Sequence, residues 1–111
     1  MRLKSILNED NYGIENAVEK NNIKKWTEKD DYNELNLDDN INCNVIYIYE
    51  VSVSDTIDLT LKDIIIDHMY DDNGSELPLN ITKEYIEIAR EHFENIKNNF
   101  IDKAKYIATK S

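Results

Sequence analysis

The clearest pattern in this chain is an antiparallel β-hairpin at its centre. Residues 45–53 are rich in β-branched and aromatic side chains, and Glu50 and Ser52 mark their polar face. After a short polar turn, residues 57–62 alternate strictly between apolar and polar positions. The pattern predicts that one face of the hairpin points inward, and this face is formed by Val45, Tyr47, Tyr49, Val51, Val53, Ile57, Leu59 and Leu61.

The strand signal continues to about residue 67, so that the predicted hairpin pairs residues 45–53 with 57–67. Three consecutive isoleucines within residues 63–70 favour a strand, because β-branched side chains are stiff in helices, although a short capped helix is the alternative for this segment. The Asn73-Gly74 pair predicts a type I′ turn. Residues 76–81 then form a short edge strand, the one place in a sheet that tolerates Pro78.

A long amphipathic helix is predicted from about residue 83 to 108. Thr82 is a suitable N-cap, and acidic residues near the start and lysines near the end suit the helix dipole. At ~1.5 Å per residue the helix is roughly 39 Å long. Ile88 and Tyr106 lie outside its apolar stripe and offer a second contact surface. The stripe recurs at spacings of three and four residues: Ile86, Ala89, Phe93, Ile96, Phe100, Ala104 and Ile107.

The first third of the chain carries weaker signals. Ile14, Ala17 and Val18 predict an N-terminal helix over about residues 14–28, and the Asn- and Asp-rich residues 30–44 predict an acidic loop. At 111 residues the chain is long enough for one domain with a modest core. The expected fold is α+β, with a small antiparallel sheet packed by the long C-terminal helix and by the N-terminal helix.

Charge is distributed unevenly along this single domain. Residues 30–76 contain thirteen acidic side chains and one basic side chain, Lys62, whereas the segments before and after them are nearly neutral. This acidic segment alone has a charge of −12, which exceeds the net charge of −10 of the whole chain. Such a segment repels nucleic acid and anionic membranes and attracts basic protein surfaces, so neither nucleic acid nor membrane is an expected partner.

No residue motif indicates a catalytic, cofactor or metal site. An EF-hand loop centred on Gly74 would place Met69 at the first ligand position and Asn80 at the twelfth, where calcium requires carboxylates. A nucleophile elbow and a phosphate loop are also missing from the sequence. The potential zinc ligands Cys43, His68 and His92 lack the spacing of a ligand pair. We therefore expect a protein that is not an enzyme and binds no cofactor or metal.

The acidic segment predicts a protein partner with a basic surface. Carboxylates at alternate positions of a strand lie ~6.7 Å apart, which is of the order of the spacing of phosphates along a nucleic-acid strand. We expect a nucleic-acid mimic that inhibits a nucleic-acid enzyme or effector complex by occupying its basic groove. The predicted partner-binding residues are Asp30, Asp31, Glu34, Asp38, Asp39, Asp58, Asp71, Asp72 and Glu76.

Three alternatives use the same residues differently. The acidic segment is then only a solubilising surface, while the long helix mediates assembly with a partner helix or forms a homodimer. An immunity protein or antitoxin that neutralises a basic toxin is the third alternative, and it shares the electrostatics of the inhibitor.

The composition bears on where the protein acts. The N-terminal residues lack the apolar run of a signal peptide, and the single cysteine fits a reducing compartment. The abundance of Asn, Ile and Lys is typical of AT-rich genes. These features predict a protein of the bacterial cytoplasm, such as a phage counter-defence protein of the anti-CRISPR type.

Overall fold

The computed structural model describes residues 12–110 of the chain, and in this part the fold is α+β. A 3₁₀ turn at Ile14–Asn16 precedes the first strand. The regular elements that follow are β1 (Val18–Lys20), β2 (Ile23–Lys29), β3 (Asn33–Asp38), β4 (Ile41–Val53), β5 (Ile57–Tyr70), β6 (Glu76–Leu77) and α1 (Lys83–Lys110). The predicted central hairpin and C-terminal helix are thus confirmed, and both strands of the hairpin are longer than predicted.

Strand β4 is the centre of an antiparallel sheet of six strands. Strand β5 pairs along one of its edges. The other edge is shared end to end by β3, which pairs with residues 41–45, and by β2, which pairs with residues 48–53. Strands β1 and β6 extend the sheet outside β2 and β5.

The core lies between α1 and one face of this sheet. The Tyr47 and Phe93 rings are 5.1 Å apart between centroids, and those of Tyr49 and Phe100 are 4.8 Å apart. The inward hairpin face and the helical stripe that the sequence predicted therefore pack against each other. The most buried members of this core include Cys43, Val45, Tyr47, Tyr49, Val51, Ala89 and Phe93.

A hydrogen-bonded hydroxyl connects β4 to α1 inside the core. The Tyr47 hydroxyl donates to the Ala89 carbonyl oxygen at 2.6 Å, and it also lies 2.9 Å from Nδ1 of His92. A hydroxyl has one proton, so His92 Nδ1 must donate to the Tyr47 oxygen. The two bonds satisfy a buried polar group and position α1 along β4.

Two bulges in β5 explain why its sequence does not alternate regularly. Lys62 and Asp67 have no partner on β4, and each shifts the register by one residue. The apolar face of the strand therefore resumes at Ile64 and Ile66 after the first bulge and at Met69 after the second. Residues 63–70 thus form a strand and not a short helix.

The predicted N-terminal helix is wrong. Residues 14–28 contain the 3₁₀ turn, β1 and most of β2, and Asn21 and Asn22 form the two-residue turn between these strands with φ of 57° and 68°. Positive φ at both positions is typical of a type I′ hairpin. Pairing with β4 buries Trp26 opposite Val51, which outweighs the weak local preference for a helix.

The predicted acidic loop is also wrong over most of residues 30–44. Strand β3 pairs with the first half of β4, and Leu37 is buried in the core. Two leucines in alternation were enough to form a strand because β4 offered an unpaired edge. Asn40, with φ of 59°, then makes the turn into β4.

The turn at Asn73-Gly74 is not of type I′, because Gly74 has positive φ (87°) and Asn73 does not. The Asp71 carbonyl accepts the Gly74 N–H, and the Ser75 carbonyl accepts the Asp71 N–H. The edge strand that follows covers only Glu76–Leu77 and ends before Pro78.

The β1–β2 turn provides a test of the hairpin that the structure shows in place of the predicted N-terminal helix. We expect Asn22→Ala to lower the free energy of unfolding by about 1 kcal/mol, because a left-handed conformation is strained for residues other than Gly, Asn and Asp. Asn22→Gly should leave it nearly unchanged. Urea denaturation measures both variants, and an equal effect of Ala and Gly would contradict the positive φ at this position.

Cys43 makes stability depend on pH above neutrality. Burial raises the pKa of its thiol to about 11, whereas the unfolded value is about 8.5. The folded state thus holds the proton more tightly, and stability should fall by up to ~1.4 kcal/mol per pH unit as pH rises between these values. Urea denaturation at pH 8, 9 and 10 measures this slope, which Cys43→Ala should flatten. If Cys43→Ala leaves the dependence of stability on pH unchanged, the Cys43 thiol is not its cause.

Candidate acidic interaction surface

Two acidic turns meet at one end of the sheet. The Asp72 N–H donates to Asn40 Oδ1 at 2.8 Å, and Asn42 Nδ2 donates to Asp72 Oδ1 at 2.9 Å. These bonds join the β3–β4 turn to the β5–β6 turn. They bring together the four carboxylates Asp38, Asp39, Asp71 and Asp72.

Two glutamates on the strands lie beside these turns. Glu34 pairs with Asn44 on β4, and Glu76 pairs with Tyr70 on β5. Both belong to the face of the sheet opposite α1, because Leu35 and Leu77, the residues next to them on their strands, pack on the core. With Asp67 at the second bulge, these residues form a surface that we call the acidic end: Glu34, Asp38, Asp39, Asp67, Asp71, Asp72 and Glu76.

No described lysine or arginine side chain neutralises the acidic end. Among the described side chains, the one basic group within 4.0 Å of its carboxylates is the His68 imidazole, whose Nδ1 lies 3.7 Å from Glu76 Oε2. Asp71 is half-buried and the other six acidic residues are exposed. Seven carboxylates therefore share one end of the molecule and produce a field of one sign.

Some of these carboxylates also stabilise the turns that carry them. Asp71 Oδ1 accepts hydrogen bonds from the N–H groups of Asn73 and Ser75, both at 2.9 Å. Asp38 Oδ1 accepts the N–H of Asp39 at 2.8 Å. Such Asx-type bonds are common where Asp occurs in turns, so turn formation alone accounts for the presence of Asp38 and Asp71. It does not account for the exposed Glu34, Asp39 and Glu76.

Aromatic rings lie next to the acidic end on the same face of the sheet. Tyr32, in the link between β2 and β3, reaches across β4, and its hydroxyl donates to Asp67 Oδ2 at 2.9 Å. This hydrogen bond to a carboxylate raises the pKa of the Tyr32 hydroxyl. The rings of His68 and Tyr70 are 5.9 Å apart. Asp67 and these rings are not among the predicted partner-binding residues, because the position of the bulge that places them is not visible in the local sequence pattern.

The structure brings together six of the nine predicted partner-binding residues, places Asp30 and Asp31 beside them and separates Asp58. Asp30 and Asp31 lie in the β2–β3 link, where the Asp30 N–H donates to the Tyr47 carbonyl at 2.9 Å. This position is three residues along β4 from Asn44, the partner of Glu34, or about 10 Å. Asp58 pairs with Ser52 on β4 and is thus roughly 33 Å from Asn42.

Lysines occupy the opposite end of the sheet. Lys20, Lys24, Lys25 and Lys29 all lie on the β1–β2 hairpin. The molecule is elongated, with extents of 48 × 33 × 22 Å. The β1–β2 hairpin also carries Glu19 and Glu28, and Ser52 pairs with both Lys25 and Asp58, so this end has charges of both signs, in contrast to the acidic end.

The described residues offer little for catalysis or metal binding. They contain no group of three or more His, Cys, Asp or Glu side chains arranged to hold a metal ion. The groove at the acidic end is open and shallow and is lined by polar side chains and Tyr70. In the described part of the chain, no helix combines the length and the hydropathy needed to cross a bilayer.

No protein-family model, curated protein or solved structure matches this chain. Its function must therefore be inferred from the charge and geometry of the surface itself.

Repulsion within the acidic end should reduce the stability of the fold. We expect the double variant Asp39→Asn/Glu76→Gln to raise Tm by a few degrees at low ionic strength, because like charges at close range are destabilising. Differential scanning calorimetry with and without about 0.5 M NaCl checks this, since salt should remove most of the difference. A variant that melts at the wild-type temperature in low salt would show that these carboxylates do not interact.

Proposed function

We propose that this protein is a non-enzymatic inhibitor that binds, through its acidic end, a basic nucleic-acid-binding groove of another protein. The observation that carries the proposal is the convergence of seven carboxylates with no lysine or arginine within 4.0 Å among the described side chains. In the complex, these carboxylates pair with the Arg and Lys side chains that otherwise hold phosphates. Inhibition is then competitive with nucleic acid.

The rigidity of the carboxylates supports this role. Asp38, Asp71 and Asp72 are held by hydrogen bonds to the turns, so docking orders few additional side chains and costs little conformational entropy. Glu34 on β3 and Glu76 on β6 are separated by three strand spacings of ~4.8 Å. The charges therefore cover a strip roughly 14 Å across that extends onto the turns.

Electrostatics determines how such a complex should form. Opposite charges accelerate association, and screening by salt weakens both the rate and the affinity. The open shape of the groove matches a surface that is inserted into a partner more closely than one that encloses a small ligand.

The partner class follows from the chemistry of the surface. Enzymes with cationic channels for DNA or RNA include CRISPR effectors, restriction nucleases, glycosylases and polymerases. A phage-encoded counter-defence protein in the bacterial cytoplasm encounters enzymes of all these kinds. An antitoxin or immunity protein that neutralises a basic toxin uses the same electrostatics. The identity of the protein that is bound, a nucleic-acid enzyme or a basic toxin, distinguishes these two versions of the mechanism.

The alternative of assembly through α1 has less support. Ile88 is half-buried and packs against the core, so it adds less to an outer contact surface than the sequence suggested. Around it, α1 presents Glu84, Glu87, Glu91 and Glu94. Together with a net charge of −10, these glutamates oppose pairing of two copies through this face.

A small panel of enzymes tests the proposal: a guide-loaded CRISPR nuclease, a restriction nuclease, a uracil-DNA glycosylase and a DNA polymerase. We expect inhibition of at least one that weakens as salt increases and is relieved by excess DNA. Asp39→Asn/Glu76→Gln should raise the inhibition constant about tenfold or more, the size of effect that follows from losing charge-assisted contacts. Enzyme assays at several salt concentrations measure this.

The matched control removes the same charge elsewhere. Asp55→Asn/Asp58→Asn also makes the chain less negative by two, but at the far end of the hairpin, and should inhibit like the wild type. Equal inhibition by both double variants, or no inhibition of any enzyme in the panel, would argue against a role for the acidic end.

A further inference from the structure

The outer edge of β5 is unpaired over most of its length. Within the described residues, β6 pairs only with Met69 and Tyr70, and no strand pairs with the outer edge from Ile57 to His68. The bulge at Lys62 interrupts this edge, so its longest regular stretch is Ile57–Leu61. Unpaired N–H and C=O groups along such an edge are a template for another strand.

A cavity opens beside this edge, between β5 and α1. It measures about 160 Å³, and its apolar lining comes from Leu61, Ile64 and Ile86. A cavity of ~150 Å³ is large enough for a benzene-sized group. A strand added to β5 would direct alternate side chains toward α1, and one of them would lie over this cavity.

Two cationic side chains line the same cavity. Lys62 is the single basic residue among residues 30–76, and Arg90 is the only arginine after residue 2. Arg90 Nε lies 3.7 Å from Glu87 Oε2, in an exposed pair of the kind that contributes little. The third polar residue at the cavity, Asp63, accepts the Ile64 N–H through Oδ1 at 2.8 Å. Among the described side chains, Lys62 has no carboxylate within 4.0 Å, so it is a cation that the carboxylate of a partner can pair with.

We propose that the β5 edge and this cavity form a docking site for an extended, acidic peptide segment of a partner. The segment pairs with Ile57–Leu61, inserts one apolar side chain into the cavity, and places a carboxylate against Lys62 and Arg90. Main-chain hydrogen bonds then supply affinity, and the cavity and cations supply selectivity, as in other complexes formed by strand addition.

This site differs from the acidic end in position and in preference. Leu61 pairs with Tyr49 and Tyr70 pairs with Asn42, seven residues apart on β4, which is about 23 Å. The acidic end prefers cationic partners, whereas the β5 edge prefers an anionic one. The proposal therefore stands independently of the inhibitory function.

The probe is a display library of random peptides with apolar and β-branched residues at alternate positions and Asp, Glu, Lys or Arg between them. Selection on the full chain should enrich acidic over basic residues about tenfold or more next to one apolar position. A selected peptide, made synthetically, should shift the NMR amide signals of Ile57–Ile64, Ile86 and Arg90, and slow hydrogen exchange along the β5 edge.

A charge reversal with a matched control completes the test. Arg90→Glu should lower affinity for the acidic peptide about tenfold or more and favour a basic peptide. Lys103→Glu changes the charge equally, but Lys103 lies beside Trp26 and Glu28 on the β2 side of α1, so it should leave the affinity unchanged. Both sites are on the helix surface, and circular dichroism verifies folding.

Several results would overturn the proposal. Selection yields no enriched sequence, the peptide shifts signals of the acidic end instead of those of Ile57–Ile64, or Arg90→Glu and Lys103→Glu bind it alike. A dimer in sedimentation experiments, formed through the β5 edge, would also overturn it, because the occupant of the edge would then be a second copy of this chain. The NMR mapping on the unmodified chain decides between these outcomes even if a variant does not fold.

Discussion

The packing of β4 against α1 is the contact on which the rest of this structure depends. Strand β4 pairs with β2, β3 and β5, and its inward rings contact Phe93 and Phe100. The hydroxyl of Tyr47 fixes the helix along the strand through Ala89 and His92. Among the described residues, no charged side chain is buried, so the apolar interior forms without the cost of desolvating ions. Every acidic residue in the described part of the chain is consequently exposed or half-buried.

This arrangement separates two kinds of surface. One face of the sheet is covered by α1, which leaves the opposite face and the turns to carry the carboxylates. The acidic end forms where two turns are joined by Asn40, Asn42 and Asp72. The β5 edge differs because its neighbours are the apolar side chains between sheet and helix and the cations Lys62 and Arg90. A strongly acidic protein can thus present sites of opposite preference, since each depends on charges within a few ångströms.

The sequence predicted the elements whose hydrophobic pattern is local. It did not predict the elements whose structure depends on pairing with a distant segment. The hairpin and α1 followed from apolar residues at periods of two and three to four, and Thr82 caps α1 through its hydroxyl, as predicted. The helix predicted for residues 14–28 was wrong because Trp26 is buried against Val51, a residue far along the chain. Leu35 and Leu37 gave too short an alternation to reveal β3. The asparagine pair at the β1–β2 turn resembled a break in a helix, although it is the turn of a hairpin.

The candidate surface shows the same division. The amino-acid sequence by itself determined that residues 30–76 are acidic and nearly free of lysine, and it determined the central hairpin and the long helix, because composition and short periods are properties of the chain alone. Only the tertiary structure decided which carboxylates meet. Strand register and two bulges placed Glu34, Asp67 and Glu76 together and left Asp58 at the far end. Register is a relation between distant segments, so each segment's own residues do not specify it.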